Sequence, residues 1–93
     1  MIQENSKHLI KFLKAVANMR RLKIVQLLSK SREMTVSNIA ASIRLSFRST
    51  SHHLRILRAA DIVEPEQHGL EVRYHLNAET MYHELLHKIC KEL

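Results

Sequence analysis

The sequence predicts a mostly α-helical domain that carries one small β-hairpin. Up to residue 61, apolar residues recur at spacings of three and four, which indicates amphipathic helices. From Ile62 to Leu76 they alternate with polar residues instead, and the only glycine, Gly69, lies near the middle of this stretch. Helical spacing then returns. The predicted order is therefore about four helices, a hairpin and a fifth helix.

The length and composition of the chain limit its class. Ninety-three residues predict one domain, residues 1–93, with a core small enough to gain stability from pairing with a second copy. A single cysteine excludes an intrachain disulfide and favours a reducing compartment, so we expect a cytoplasmic protein. No apolar run is longer than three residues, so we expect no signal peptide, no membrane-spanning helix and no membrane partner.

The net charge of +6 is unevenly distributed. From Lys7 to Arg58 there are 12 basic residues and one acidic residue, Glu33. Residues 59–93 contain 3 basic and 7 acidic residues. A basic body with an acidic C-terminal third indicates one face for nucleic acid and another face for a different contact.

The first two helices are placed by their N-caps. We expect the first helix from about Ser6 to Ala17, capped by Asn5 or Ser6, and the second helix from Met19 to Ser29, capped by Asn18. The residues expected to form the apolar stripe of the first helix are Leu9, Ile10, Leu13 and Val16.

A helix-turn-helix is predicted for residues 34–61. A very short strand, Met34–Val36, leads into a third helix, Val36–Ser42, which Thr35 caps. The tight turn that follows places Arg44 in a left-handed conformation, where glycine would cost less. Two short helices joined by a three- or four-residue turn, the second of them basic, are typical of this motif.

The fourth helix, Ser46–Asp61, is predicted to be the recognition helix, with Ser46 as its N-cap. Its expected core stripe is Phe47, Thr50, Leu54 and Leu57. Arg48, His52 and Arg55 repeat on another face, where small serines would let the helix approach a groove closely. The residues expected to contact DNA from this motif are Arg44, Ser46, Arg48, Ser49, Ser51, His52 and Arg55.

A β-hairpin after a helix-turn-helix is a wing, here residues 62–76. We expect strands at Ile62–Glu66 and Leu70–Leu76, joined by a turn at Gln67–Gly69. Pro65 has no N–H group and therefore belongs on an edge strand. The wing adds two expected DNA contacts, His68 and Arg73.

The last helix is expected from about Glu79 to Leu93. The first and last helices together carry more apolar surface than one small domain can cover. We therefore expect residues 1–18 and 78–93 to be dimerisation helices. The residues expected to form the apolar stripe of the last helix are Tyr82, Leu85, Leu86, Ile89 and Leu93.

Taken in order, these segments resemble the ArsR/SmtB family of small dimeric winged-helix repressors, from about Leu9 to Leu93. The resemblance implies a homodimeric repressor that occludes its DNA operator. The segments that carry it are Ala17–Ile24, Met34–Ala40, Leu45–Ser46, Ser51–Leu57, Ala59–Val63 and Val72–Leu76.

The chain departs from the family pattern at several positions. Met19 stands where the family usually has proline, Asp61 where it has glycine, and Phe47 where it has a glutamine whose amide can contact DNA. Leu70 and Glu71 replace basic residues of the wing, which implies weaker phosphate binding there.

Neither of the common metal sites of the family has its ligands in this chain. The third helix has no cysteine, and Ala78 and Thr80 stand where an Asp-x-His pair would start the last helix. We therefore expect no cofactor. His83, His87 and Cys90 nevertheless lie on one border of the last helix and could hold Zn²⁺ or another divalent ion, against the alternative that they flank a dimer interface without metal.

The segment His83–His87 also matches the H-E-x-x-H signature of zinc proteases. Only 6 residues follow His87, which leaves no room for a distant glutamate ligand, so we expect no enzyme. The sequence predicts a regulator that binds double-stranded DNA. Two alternatives stay open: a metal-responsive repressor that uses His83 and His87, and a winged helix that binds proteins without DNA.

Overall fold

The computed structural model describes residues 4–93, with side chains described from Ser6 onward. The described chain forms five helices and a three-stranded antiparallel sheet, which confirms the predicted winged helix-turn-helix. The predicted segment 1–18 begins in residues 1–3, which lie outside the described residues. The elements are α1 (Glu4–Val16), α2 (Met19–Lys30), β1 (Met34–Thr35), α3 (Val36–Ile43), α4 (Phe47–Ala59), β2 (Val63–His68), β3 (Glu71–Leu76) and α5 (His83–Lys91).

Side-chain caps fix the starts of the central helices. Asn18 Oδ1 accepts hydrogen bonds from the backbone N–H groups of Arg20 and Arg21, at 3.0 and 3.1 Å. Thr35 Oγ1 accepts from the N–H of Asn38 at 3.2 Å. These caps were predicted, and they satisfy donors that a helix leaves unpaired in its first turn. The predicted start of α1 was wrong, because the helix already includes Glu4.

The core lies between α2, α3, α4 and the base of the wing. Ile24, Ile39, Leu54 and Ile62 are fully buried there. Burial of such a side chain contributes about 1.5–3 kcal/mol to folding, so these four residues anchor the domain.

The terminal helices bury only part of the predicted apolar stripes, with Val16 and Leu86 buried as expected. On α1, Phe12 is 1% exposed and packs against the ring of Tyr82 with centroids 5.0 Å apart. Ile10 and Leu13, from the predicted stripe, are 38% and 44% exposed. On α5, Leu86 enters the core of its own protomer at 1% exposure. The apolar stripes are therefore wide enough to serve two surfaces, one of which stays uncovered.

The sheet has the strand order β1-β3-β2, so β2 is an edge strand and Pro65 lies on it as predicted. The predicted turn at Gln67–Gly69 was wrong. His68 is the last residue of β2 and pairs with Glu71, which leaves Gly69 and Leu70 as a two-residue loop. Gly69 has φ +64°, a conformation that glycine adopts at little cost.

The last helix begins later than predicted, at His83 instead of Glu79. The backbone N–H of Glu79 donates to Asn77 Oδ1 at 3.0 Å, and the N–H of Thr80 donates to the Asn77 carbonyl at 3.3 Å. These turns hold residues 77–82 outside helical geometry. Among residues 4–93 no helix has the length and apolar character needed to cross a lipid bilayer.

Candidate nucleic-acid interface

The turn between α3 and α4 sets the direction of the fourth helix. Arg44 ends α3 in a left-handed conformation, φ 55° and ψ 50°, as predicted. The N–H of Leu45 donates to the Ala40 carbonyl at 3.0 Å, which closes the turn. Ser46 Oγ then accepts from the N–H of Ser49 at 3.0 Å and caps α4. A left-handed residue other than glycine costs about 1–2 kcal/mol, and the hydrogen bonds of the turn offset that cost.

Helix α4 has one apolar and one cationic face. Thr50, Leu54 and Leu57 are fully buried against the domain. On the outer side, Arg48, Ser49, His52, His53 and Arg55 line one shallow depression. Among the side chains of residues 6–93, no carboxylate pairs with Arg48 or Arg55. A helix face whose guanidinium groups have no carboxylate partner is suited to binding a polyanion that has a groove. This face is the most strongly cationic part of α4.

Phe47 was predicted to join the core stripe, and that prediction was wrong. Its side chain is 58% exposed at the first position of α4. With Val36, Leu70 and Val72 it lines a groove that runs from the start of α3 to the wing tip. The first turn of α4 comes before the turns that pack against the domain. A spacing of three residues from the buried Thr50 therefore does not place Phe47 in the core. Phe47 is therefore a surface residue that sequence reasoning missed, although its place directly after the cap could have indicated exposure.

The other predicted contacts of the helix-turn-helix differ in accessibility. Arg44 and Ser46 are exposed at the turn, but the Ser46 hydroxyl is engaged in the cap. Ser51 is partly buried on the side of α4, and His52 is exposed. The structure thus brings Arg48, Ser49, His52 and Arg55 together and leaves Ser51 at the border of their face.

The wing cations that were predicted to contact DNA are engaged by carboxylates. Arg73 donates to Glu33 at 2.9 Å and to Glu71 at 3.0 Å. The hydrogen bond from Arg73 is the main reason that the pKa of Glu33 lies below its usual range. In turn, hydrogen bonds to Glu71 first and to Glu33 second raise the pKa of Arg73. His68 Nε2 lies 3.5 Å from the other oxygen of Glu33. Because the positive charge of Arg73 is balanced and the His68 ring faces Glu33, both contribute less to anion binding than the bare arginines of α4.

A histidine on α4 links the recognition helix to the rest of the domain. Arg21 of α2 lies with Nη1 3.2 Å from His53 Nδ1 and donates through Nε to the Ala15 carbonyl at the end of α1. A guanidinium group can only donate hydrogen bonds, so His53 Nδ1 must accept and carries no proton in this contact. Burial, followed by the charge of Arg21, lowers the pKa of His53 from its ordinary value. Arg21 and His53 therefore tie α1, α2 and α4 together only while the imidazole is neutral.

This link predicts a loss of stability in acid. Because the folded pKa of His53 lies below its unfolded value of about 6.5, the unfolded chain takes up the proton first as the pH falls. The contribution is complete above about pH 6.5 and is lost as the pH falls below it. Denaturant unfolding between pH 7.5 and 5 should show a smaller loss of unfolding free energy for His53→Gln than for the unchanged protein. The glutamine can still accept a hydrogen bond from Arg21. Identical pH profiles for the two proteins would contradict the link.

The histidines of the last helix lie together, but no described side chain joins them as a third ligand. The Nε2 atoms of His83 and His87 are 3.0 Å apart. Cys90 packs partly against the core. In the described part of the chain, the one group of three metal-binding side chains with ligand atoms within 4.8 Å of one another is Glu33, Glu66 and His68. The predicted trio of His83, His87 and Cys90 therefore does not converge, because the cysteine is turned towards the core.

Comparison with known proteins decides the family. The sequence model described as "Bacterial regulatory protein, arsR family" matches residues 18–64, which span α2 to the start of β2. The transcriptional repressor SdpR of Bacillus subtilis is 39% identical over 64 residues, which cover 69% of this chain and 70% of SdpR. The chain belongs to the ArsR family.

Solved structures agree with the ArsR assignment over nearly the whole length. The structure of HlyU from Vibrio cholerae matches with a TM-score of 0.85 at 28% identity, covering 98% of this chain and 97% of that one. A homodimeric winged helix-turn-helix DNA-binding domain, Mb0332 of Mycobacterium bovis, matches with a TM-score of 0.80 at 26% identity, covering 92% and 75%. As an ArsR-family protein, the chain is a transcriptional regulator and not an enzyme.

Proposed function

We propose that this ArsR-family regulator binds a specific operator in double-stranded DNA as a homodimer, acts in the cytoplasm, and represses by occlusion. The observation that carries the proposal is the outer face of α4, where Arg48 and Arg55 are exposed and unpaired within the described residues while the opposite face is fully buried. A rigid helix with bare guanidinium groups on one side is suited to the major groove.

Individual side chains can be given roles from their positions on α4. Arg48 and Arg55 can each donate two hydrogen bonds to guanine, which is the commonest specific contact in the major groove. Ser49 and His52 lie between them and can bond to neighbouring base edges. The exposed ring of Phe47 can pack against a thymine methyl group, in place of the amide that the family pattern has there. We assign Arg44, which is exposed in the turn, a phosphate contact, which sets affinity and not sequence.

The uncovered apolar faces of α1 and α5 support the homodimer. Ile10 and Leu13 on α1 and Leu85 on α5 are 38%, 44% and 37% exposed. Met19 and Leu93 add a second exposed apolar groove beside α2. An inverted repeat requires the two α4 helices of such a dimer to lie on one side, about 34 Å apart.

Repression by occlusion needs nothing beyond the DNA-binding surface. Activation would need a further surface that contacts other parts of the transcription machinery. The relatives do not decide between the two, since SdpR is named as a repressor and HlyU as an activator. A repressor is therefore the simpler proposal for a domain whose principal cationic surface is α4.

The response of binding to salt tests the proposal against a protein-interaction module. Each phosphate that the protein neutralises adds about −0.9 to the slope of log K against log salt concentration, so a dimer with six such contacts should give a slope of about −5. A mobility-shift titration of the purified protein between 50 and 200 mM salt, roughly the range over which such dimers lose several orders of magnitude of affinity, measures it. A slope near zero would support the protein-interaction module instead.

A metal-responsive version of this function has one observation in its favour. His83 and His87 on α5 bring their Nε2 atoms within 3.0 Å, close to the spacing of two ligands on one ion. Since α5 carries part of the proposed dimer face, an ion there would act on dimer geometry. Repeating the mobility shift with a chelator and with Zn²⁺ tests this version. Equal affinities in both conditions would exclude it.

A further inference from the structure

The polar face of the wing gathers metal-binding side chains from three segments of the chain. Glu66 and His68 lie two residues apart on β2, so both point to one face of the sheet. His75 lies on β3 beside them, with Nε2 3.7 Å from Glu66 Oε2. Glu33, from the connection between α2 and β1, approaches the same face and places Oε2 3.5 Å from His68 Nε2. Four side chains that are spread over positions 33 to 75 of the sequence thus lie near one another.

The spacing of the ligand atoms is close to that of a tetrahedral metal site. Zinc bound at about 2.0–2.1 Å holds its ligand atoms about 3.3–3.4 Å apart. His68 Nε2 lies 3.5 Å from Glu33 and 3.8 Å from Glu66, and the ligand atoms of these three residues all lie within 4.8 Å of one another. His75 Nε2 lies 3.7 Å from Glu66 but outside this group of three. Rotation about side-chain torsions would bring the atoms of Glu33, Glu66 and His68 to metal distance, and His75 would have to turn inward to add a fourth ligand.

Of the two histidines, one has a ring nitrogen held by the backbone and the other has a buried ring nitrogen without a partner. His75 Nδ1 lies 3.0 Å from the Leu76 carbonyl and must donate to it, which leaves Nε2 as the unprotonated nitrogen of a neutral ring. A backbone carbonyl in this role is typical of histidines that bind metals. His68 Nε2 is buried, with less than 1 Å² exposed, and has no hydrogen-bond partner in the described chain. A buried nitrogen without a partner is costly, and a metal ion would satisfy it.

The surrounding charges orient one ligand and balance the ion. Arg73 donates to Glu33 Oε1 at 2.9 Å and so holds the carboxylate with Oε2 turned towards His68. Arg73 is itself balanced by Glu71 at 3.0 Å. The two carboxylates of the cluster, Glu33 and Glu66, match the charge of one divalent cation. Two imidazole and two carboxylate ligands without a thiolate favour Zn²⁺ and its neighbours over softer ions.

We propose that Glu33, Glu66 and His68, with His75 as a fourth ligand that turns inward, form a Zn²⁺ site on the polar face of the wing, separate from the histidine pair of α5. The ion would join the connection before β1 to both long strands of the sheet. The site does not depend on DNA binding, because it rests on contacts within one protomer.

A Zn²⁺ titration of the metal-free full chain against a chromophoric chelator tests the site. We expect one tight ion per chain, and a loss of affinity of at least about tenfold in Glu66→Gln and in His68→Gln, since even outer partners of metal ligands cost 10–100-fold when removed. The double variant His83→Gln/His87→Gln is the matched control and should bind Zn²⁺ as the unchanged protein does. Without metal, all variants should unfold at the same temperature, which separates a lost ligand from a lost fold.

A second readout places the ion directly. Zn²⁺ should shift the imidazole ¹⁵N resonances of His68 and His75, and it should raise the melting temperature of the unchanged protein and of the α5 double variant. The proposal is overturned if the α5 double variant loses the ion while Glu66→Gln keeps it, or if the unchanged protein binds Zn²⁺ no more tightly than His68→Gln.

Discussion

Replacing Leu13 with glutamate should convert the proposed dimer into a monomer that is still folded. Leu13 is 44% exposed in the protomer, so a charge there costs little until the proposed interface covers it. An unpaired charge buried in an apolar interface costs several kcal/mol, and the two-fold symmetry introduces it twice. At 1.4 kcal/mol per tenfold, the dimer should weaken by at least about a thousandfold. Sedimentation equilibrium at micromolar concentration measures the change.

The control for this variant is Lys11→Glu, which places glutamate on an exposed position of α1 outside the apolar face. It should remain dimeric. Leu86 is unsuitable for the same test, because at 1% exposure a charge there would unfold the protomer. A Leu13→Glu protein that sediments as a dimer with normal stability would show that α1 does not form the interface.

Removing Arg48 or Arg55 should nearly abolish binding to the operator. A bidentate contact with guanine is worth about 1–3 kcal/mol, and a dimer loses one in each half-site, so the expected loss is about 2–6 kcal/mol. That range corresponds to a decrease in affinity of about 30-fold to more than 10⁴-fold. Mobility-shift titration of Arg48→Ala and Arg55→Ala at fixed salt measures it.

Arg58→Ala is the matched control for these variants. It removes the same charge from the same helix, but from the last turn of α4, whereas the first turns of a recognition helix contact the bases. We expect at most the loss of one phosphate contact in each half-site, with a salt slope less steep by about 2 units. A loss from Arg58→Ala as large as that from Arg48→Ala would contradict the placement of α4.

The sequence predicted those features that short-range rules determine. Asn18, Thr35 and Ser46 were recognised as caps because a side-chain oxygen next to the first turn meets a free N–H group whatever the tertiary structure is. The left-handed turn at Arg44 and the edge position of Pro65 follow from equally local constraints. The winged helix-turn-helix could therefore be predicted before the structure was known.

Features that depend on the neighbouring element could not be predicted in this way. Periodicity showed that α1 is apolar on a wide face, but only the packing of Phe12 against Tyr82 decides which part is turned inward. Phe47 had the right spacing for the core and lies on the surface. The pairing of Arg73 with Glu33 joins residues 40 positions apart and lowers the contribution expected of the wing to DNA binding. No local pattern encodes such a contact.

Selection of binding sites from a random double-stranded DNA library tests the central claim most directly, namely that α4 reads the bases as one of a symmetric pair. The unchanged protein should select an inverted repeat whose half-sites lie about 10–10.5 base pairs apart. Arg48→Ala should select the same repeat with one base position relaxed in each half, and Arg58→Ala should select it unchanged. An identical motif from all three proteins, or no motif from the unchanged protein, would contradict the account.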